Sequence, residues 1–176
     1  VVEEGYPVGQ FFMLKCNGID ENGKFIMEDV NKDGQISDDD RTYVGDSQPD
    51  LTFGWNNTFT WKNWDASFFL RGQIGGKLLN NPRAAYGNNT YVAGANAMKG
   101  DDLMLLRENS RVSSYYLENA SFARLDNMSI GYTFNTKKID WLDKARIYVA
   151  AQNLFVITSY SGLDPEVELF RGEASD

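Results

Sequence analysis

The sequence predicts an all-β chain whose antiparallel strands cross a membrane as part of a β-barrel, and three observations carry that prediction. Apolar and aromatic residues recur with a period of two in several runs, as strands with one greasy face require. The connections between these runs alternate strictly, one short and the next long, as in barrels with short inner turns and long outer loops. Trp61, Trp64 and Trp141 stand at the short connections, where an interfacial aromatic girdle belongs. No apolar run approaches the ~20 residues of a membrane-spanning helix, so a helical membrane protein is excluded and a barrel is not.

The first strand reads from Val8 to Gly18, with an indistinct face. A long connection, Ile19 to Pro49, follows and contains the sharpest chemical motif in the chain. Residues 29–40 read Asp-Val-Asn-Lys-Asp-Gly-Gln-Ile-Ser-Asp-Asp-Asp, the spacing of an EF-hand-type calcium loop. Calcium takes six to eight oxygens at roughly 2.3–2.6 Å, so alternate residues of a curled loop must point inward. The expected ligands are Asp29, Asn31, Asp33, the Gln35 carbonyl and Asp40, with Ser37 acting through water. Gly34 would supply the positive φ of the turn and Ile36 an apolar anchor. Asp40 replaces the Glu usual at the twelfth position, which shortens the reach for bidentate ligation, as in loops of extracellular modules such as dockerins. The competing reading is a solvated acidic turn, since Asp, Asn and Gly also dominate ordinary turns.

From Leu51 the odd positions are Leu51, Phe53, Trp55, Asn57, Phe59 and Trp61, against Thr52, Gly54, Asn56, Thr58 and Thr60. After Lys62-Asn63 the pattern restarts with Trp64, Ala66, Phe68 and Leu70, so a tight hairpin is expected. Leu51, Phe53, Trp55, Phe59, Trp61, Trp64, Phe68 and Leu70 are assigned to lipid. The connection from Ile74 to about Tyr116 is long. In the next strand, Leu117 to Phe134, Met128, Ile130, Tyr132 and Phe134 share a face, but Leu125 has the wrong parity, which predicts a bulge near Asp126. A shorter connection containing Trp141 leads to Ala145, Ile147, Val149, Ala151 and Phe155. The short turn at Lys62-Asn63 would be periplasmic, which puts the acidic loop outside.

Composition narrows the functions. The 176 residues are enough for one ordinary domain. A formal charge of −8, with no basic cluster beyond Lys137-Lys138, argues against a nucleic-acid partner. Histidine is absent, which removes the usual general base and zinc ligand. Cys16 is the only cysteine, so an internal disulfide is impossible, and it reads as packing rather than a nucleophile. Asp101-Asp102, Asp164 and Glu166 offer carboxylates but no nucleophile motif, so catalysis is not expected.

Several stretches in order resemble the SusC/RagA family of TonB-dependent outer-membrane transporters, specifically the C-terminal part of the barrel. They are Glu4 to Gly9, Asp29 to Gly45, Pro49 to Gly54, Trp64 to Phe68, Leu117 to Leu125, Ser129 to Tyr132, Ala151 to Phe155 and Ser161 to Glu166. The resemblance implies a barrel of about twenty-two strands, plugged in its lumen and energised by TonB. It also implies a SusD-like lipoprotein over the outer mouth that captures glycans or peptides. Residues 1–176 are then an incomplete barrel portion without plug, TonB box or aromatic-ended final strand. The rival from another class is a secreted, calcium-stabilised β-sandwich that binds carbohydrate through Tyr86 and Tyr91.

Overall fold

The computed structural model describes residues 4–87, 106–107, 111–136 and 141–166. In chain order its strands are β1 (Gln10–Leu14), β2 (Cys16–Ile19), β3 (Phe25–Met27), β4 (Arg41–Asp46), β5 (Leu51–Trp61), β6 (Trp64–Ile74), β7 (Lys77–Leu79), β8 (Leu117–Asn119), β9 (Phe122–Phe134) and β10 (Ala145–Thr158). One short helix, α1 (Asn81–Tyr86), follows β7. The fold divides into two units. The first comprises the described parts of Val1–Gln48, Gly76–Ala120 and Tyr160–Asp176, and the second comprises those of Pro49–Gly75 and Ser121–Ser159.

The second unit is a four-stranded antiparallel sheet in the order β10-β9-β6-β5. Its strands form where the period-two alternation is longest, because one apolar face and one polar face fit a pleated ribbon. Lys62 adopts φ 55° in the two-residue turn, which lets Trp61 pair directly with Trp64. Asn63 secures that turn to β9: its side-chain amide donates to the Thr133 carbonyl at 2.6 Å, and its own carbonyl accepts from the Thr133 N–H at 2.8 Å. The bulge lies at Asp126. Phe69 stands opposite Asn127 and Leu70 opposite Leu125, so Asp126 is skipped and Leu125 returns to the face of Met128. The next strand answers this irregularity with Asn153, at φ 49°.

Glycines admit rings on both faces of the hairpin. A Cβ on Gly72 would lie 2.7 Å from the Phe53 ring, and one on Gly54 would lie 3.3 Å from that of Phe69. Each ring covers bare backbone across the strand pair, which offsets what glycine loses in packing.

The first unit holds three two-stranded sheets, β1-β4, β2-β3 and β7-β8. It corrects two expectations. Val8 to Gly18 is not one strand but breaks at Lys15, because β1 pairs with β4 while β2 turns back onto β3. The turn at Asp20 to Lys24 closes that second hairpin, with the Asp20 N–H donating to the Lys24 carbonyl at 2.8 Å. Leu117 to Phe134 also breaks, at Ala120-Ser121, where β8 pairs with β7 and the Ala120 N–H donates to the Gly76 carbonyl at 3.1 Å. Leu14, Ala84, Leu106, Tyr116, Ala120 and Tyr160 are buried here, with Phe25 packed edge-on against Tyr115 and Tyr116.

Candidate functional site

Two features carry chemistry: the two-faced sheet and the acidic loop before β4. Cross-strand register places Phe53, Trp55, Asn57, Phe59 and Trp61 on the same face as Gly72, Leu70, Phe68, Ala66 and Trp64. That face continues through Met128, Ile130 and Tyr132 of β9 to Ala151, Val149 and Ile147 of β10. It is strongly exposed: Trp55 58%, Trp61 67%, Ile147 63% and Val149 69%. A contiguous apolar surface of this extent is not left to water by a soluble monomer. Rings knit it together, with Phe68 edge-on to Trp55 at 5.3 Å and Trp64 against Tyr132 at 4.9 Å. At the short-turn end, Trp61 lies under the Lys62 ammonium at 4.9 Å, and Trp141 is almost fully exposed.

The opposite face is polar and internally paired. Ser67 and Ser129 hydroxyls meet at 2.8 Å. The Arg71 Nε donates to Asp126 Oδ2 at 3.0 Å, so the bulge turns its carboxylate toward this face. Nearer the short turns, Arg146 grips Asp65 through two guanidinium nitrogens. These polar partners were not legible in the sequence, where Arg146 and Asp65 stand far apart and each occupies an unremarkable place on the polar side of its strand's alternation.

The acidic loop is built from short local turns. Gly34 adopts φ +83° and Lys32 φ 62°. Asp29 accepts from the Lys32 N–H at 2.6 Å and the Gly34 N–H at 2.9 Å. Asn31 and Asp33 each accept from the N–H two residues on, at 2.9 and 2.8 Å, and the Asn31 amide donates to Asp33 at 3.1 Å. These turns close the loop on its own backbone amides. Asp40 is fully buried, with Oδ1 accepting from Val30 and Asn31 and Oδ2 accepting from Ser37. The Ser37 N–H, opposed by burial and joined by the Asn31 and Val30 N–H groups, holds its carboxyl below the usual range.

A calcium ion in this loop would meet one restriction. Asp40 Oδ1 uses both lone pairs on amides, which leaves Oδ2 one lone pair, so Asp40 has room for a single metal bond. The Asp29 carboxyl is its side-chain neighbour. Among the described residues, no three His, Cys, Asp or Glu side chains converge, so an ion here must also draw on Asn31 and main-chain oxygens. The Ser37 hydroxyl accepts from the Asp39 N–H at 3.1 Å as the cap of a single 3-10 turn, Asp38–Asp40.

A polar hub in the first unit was not foreseen. Glu118 accepts from the Asn80 amide at 2.9 Å, from the Ser161 hydroxyl at 2.7 Å and from the Ser161 N–H at 2.6 Å, with Arg83 at 3.4 Å. Asn80 is fully buried and its oxygen caps α1 by accepting from the Arg83 N–H at 3.0 Å. Burial pushes the Glu118 carboxyl up, but Ser161, Asn80 and Arg83 together bring it below the usual value. Cys16 is half-buried, and its thiol donates to the Gly18 carbonyl at 3.2 Å. Tyr91, Asp101 and Asp102 lie outside the described residues, while Tyr86 is exposed at the end of α1.

No family model matches the chain. It is 30% identical to a TonB-dependent receptor of Formosa agariphila, over 94% of this chain and 19% of that protein. It is 32% identical to the TonB-dependent receptor SusC of Bacteroides thetaiotaomicron, over 93% of this chain and 18% of that protein. Among solved structures it is similar to the RagAB peptide importer in its closed-closed state, with a TM-score of 0.75 and 27% identity over 92% of this chain and 20% of that one. The chain thus spans about a fifth of the length of the proteins it matches.

Proposed function

We propose that this chain, which belongs to the SusC/RagA family of TonB-dependent receptors, is barrel wall from an importer in the outer membrane of a Gram-negative bacterium. The observation that carries this reading is the continuous apolar face of the β10-β9-β6-β5 sheet, exposed on one side and backed by a paired polar face on the other. In a bilayer, Leu51, Phe53, Trp55, Phe59, Trp61, Trp64, Phe68 and Leu70 would meet lipid, with Trp61 and Trp64 at the headgroups of the short-turn side. The polar face would line the lumen. Both short connections leave one end of the sheet, so the long ones and the acidic loop belong outside.

The parent protein, on this reading, takes up glycans or peptides with a SusD-like lipoprotein over its mouth, powered by the TonB complex. The relatives are TonB-dependent receptors and a peptide transporter, which supports import rather than catalysis. Calcium in the loop at 29–40 would order the outer connection that precedes β5. The test is deletion of the parent's TonB box. Uptake should vanish while cargo binding at the cell surface persists. Unchanged uptake would make the parent a passive pore or an adhesin, and the importer reading would fail.

A further inference from the structure

A cavity of about 450 Å³ in the first unit is lined by Lys15, Glu28, Thr42, Tyr43, Lys77 and Ser114, among others. That volume suits a sugar ring or the end of a peptide. Lys77 is seated there by backbone. Its stem lies across Gly45, where an added Cβ would come within 2.7 Å of Cδ and 3.0 Å of Cε, and its ammonium donates to the Val44 carbonyl at 2.7 Å. One of its three N–H donors is thereby used, and among the described residues it has no acidic partner. Lys15 is already matched by Glu28 at 2.8 Å, and that lysine holds the Glu28 carboxyl below its usual range. Tyr43 is fixed by stacking on Tyr6 at 4.5 Å.

The cavity thus carries two ammonium groups and one carboxylate, in a chain whose net charge is −8. An ammonium with spare donors, in a cavity shared with a fixed ring and hydroxyls, recognises a compact anion rather than a neutral group. We propose that this cavity is a subsite for a carboxylate of the cargo, with Lys77 as its principal ligand and Lys15 as its second. The inference rests on the import reading. The carboxylate could come from a uronic sugar or from a peptide C-terminus, two sources of one chemistry.

Binding to the purified full-length parent separates them. The probes are an oligogalacturonate with its carboxyl-reduced form, and a short peptide with its C-terminal amide. The carboxylated member of one pair should bind better, and Lys77→Met should weaken it about tenfold while leaving the neutral member unchanged. Lys24→Met, outside the cavity, should change neither. Equal binding within both pairs, or no effect of Lys77→Met, overturns the subsite. So does protection of Lys77 from acetylation in the cargo-free parent, which would mean that another part of the protein fills the cavity. Uptake measured with and without the TonB box reports separately on import, so either reading can fail alone.

Discussion

Arg146 on β10 reaches across Gly131 of β9 to hold Asp65 on β6, with its Nε donating at 3.0 Å and Nη2 closing the second bond. The middle strand permits this because Gly131 has no side chain: a Cβ there would lie 2.7 Å from the guanidinium carbon. Gly131 stands directly opposite Asp65 on one side and Tyr148 on the other, so one ion pair ties three strands near the short-turn end. Both side chains are about a third exposed, so the pair is a modest stabiliser.

Gly131→Ala should therefore lower the unfolding free energy of the parent in detergent by about 1 kcal/mol. In an Arg146→Ala background, the same change should cost much less, because the group it displaces is gone. Denaturant titration of the four proteins of that cycle measures the coupling. Additive losses would show that the glycine acts through backbone effects alone.

Asp33→Ala should abolish calcium binding at the loop and leave the sheet intact. Calorimetric titration of the chelated parent should detect one site in the wild type and none in the variant, with the same far-ultraviolet spectrum and detergent stability. The ion would order a connection rather than a strand. A wild-type parent that takes up no calcium at millimolar concentration would reduce residues 29–40 to an acidic turn closed by its own amides.

The Glu118 hub sets a pH dependence. Its folded-state carboxyl titrates below its unfolded value of 4.5, so its contribution is fully present above that pH and is lost as pH falls through the lower folded value. Hydrogen exchange at the Ser161 amide, corrected for intrinsic rates, should lose protection below about pH 4.5 in the wild type. Glu118→Gln should show the weaker protection already at neutral pH, with little further change on acidification. A wild-type amide whose protection is flat from neutral to strongly acidic pH would contradict this.

The wall was legible because its alternation is long. The wrong parity of Leu125 against Met128 located the Asp126 bulge, and the last strand was found from Ala145 onward. The first unit was not legible in the same way. Strands of three residues such as β3, β7 and β8 are too short to display a period, and the Val8 to Gly18 run hides a change of partner at Lys15. In the loop, the turns at Asp29, Asn31 and Asp33 join near neighbours and follow from local spacing. Glu118, Arg146 and Lys77 act on residues dozens of positions away, and no local pattern marks them.

The central claim is that one face of β5 meets lipid and the other meets the lumen. Single cysteines bearing spin labels, placed one at a time from position 51 to 61 in the parent reconstituted in bilayers, test it most directly. Labels at 53, 55, 57 and 59 should be relaxed by oxygen, which partitions into lipid, and those at 52, 54, 56 and 58 by a water-soluble nickel chelate. Reversed parity would put the wrong face in the membrane. Uniform access to the chelate at every position would mean that this sheet is not membrane wall at all.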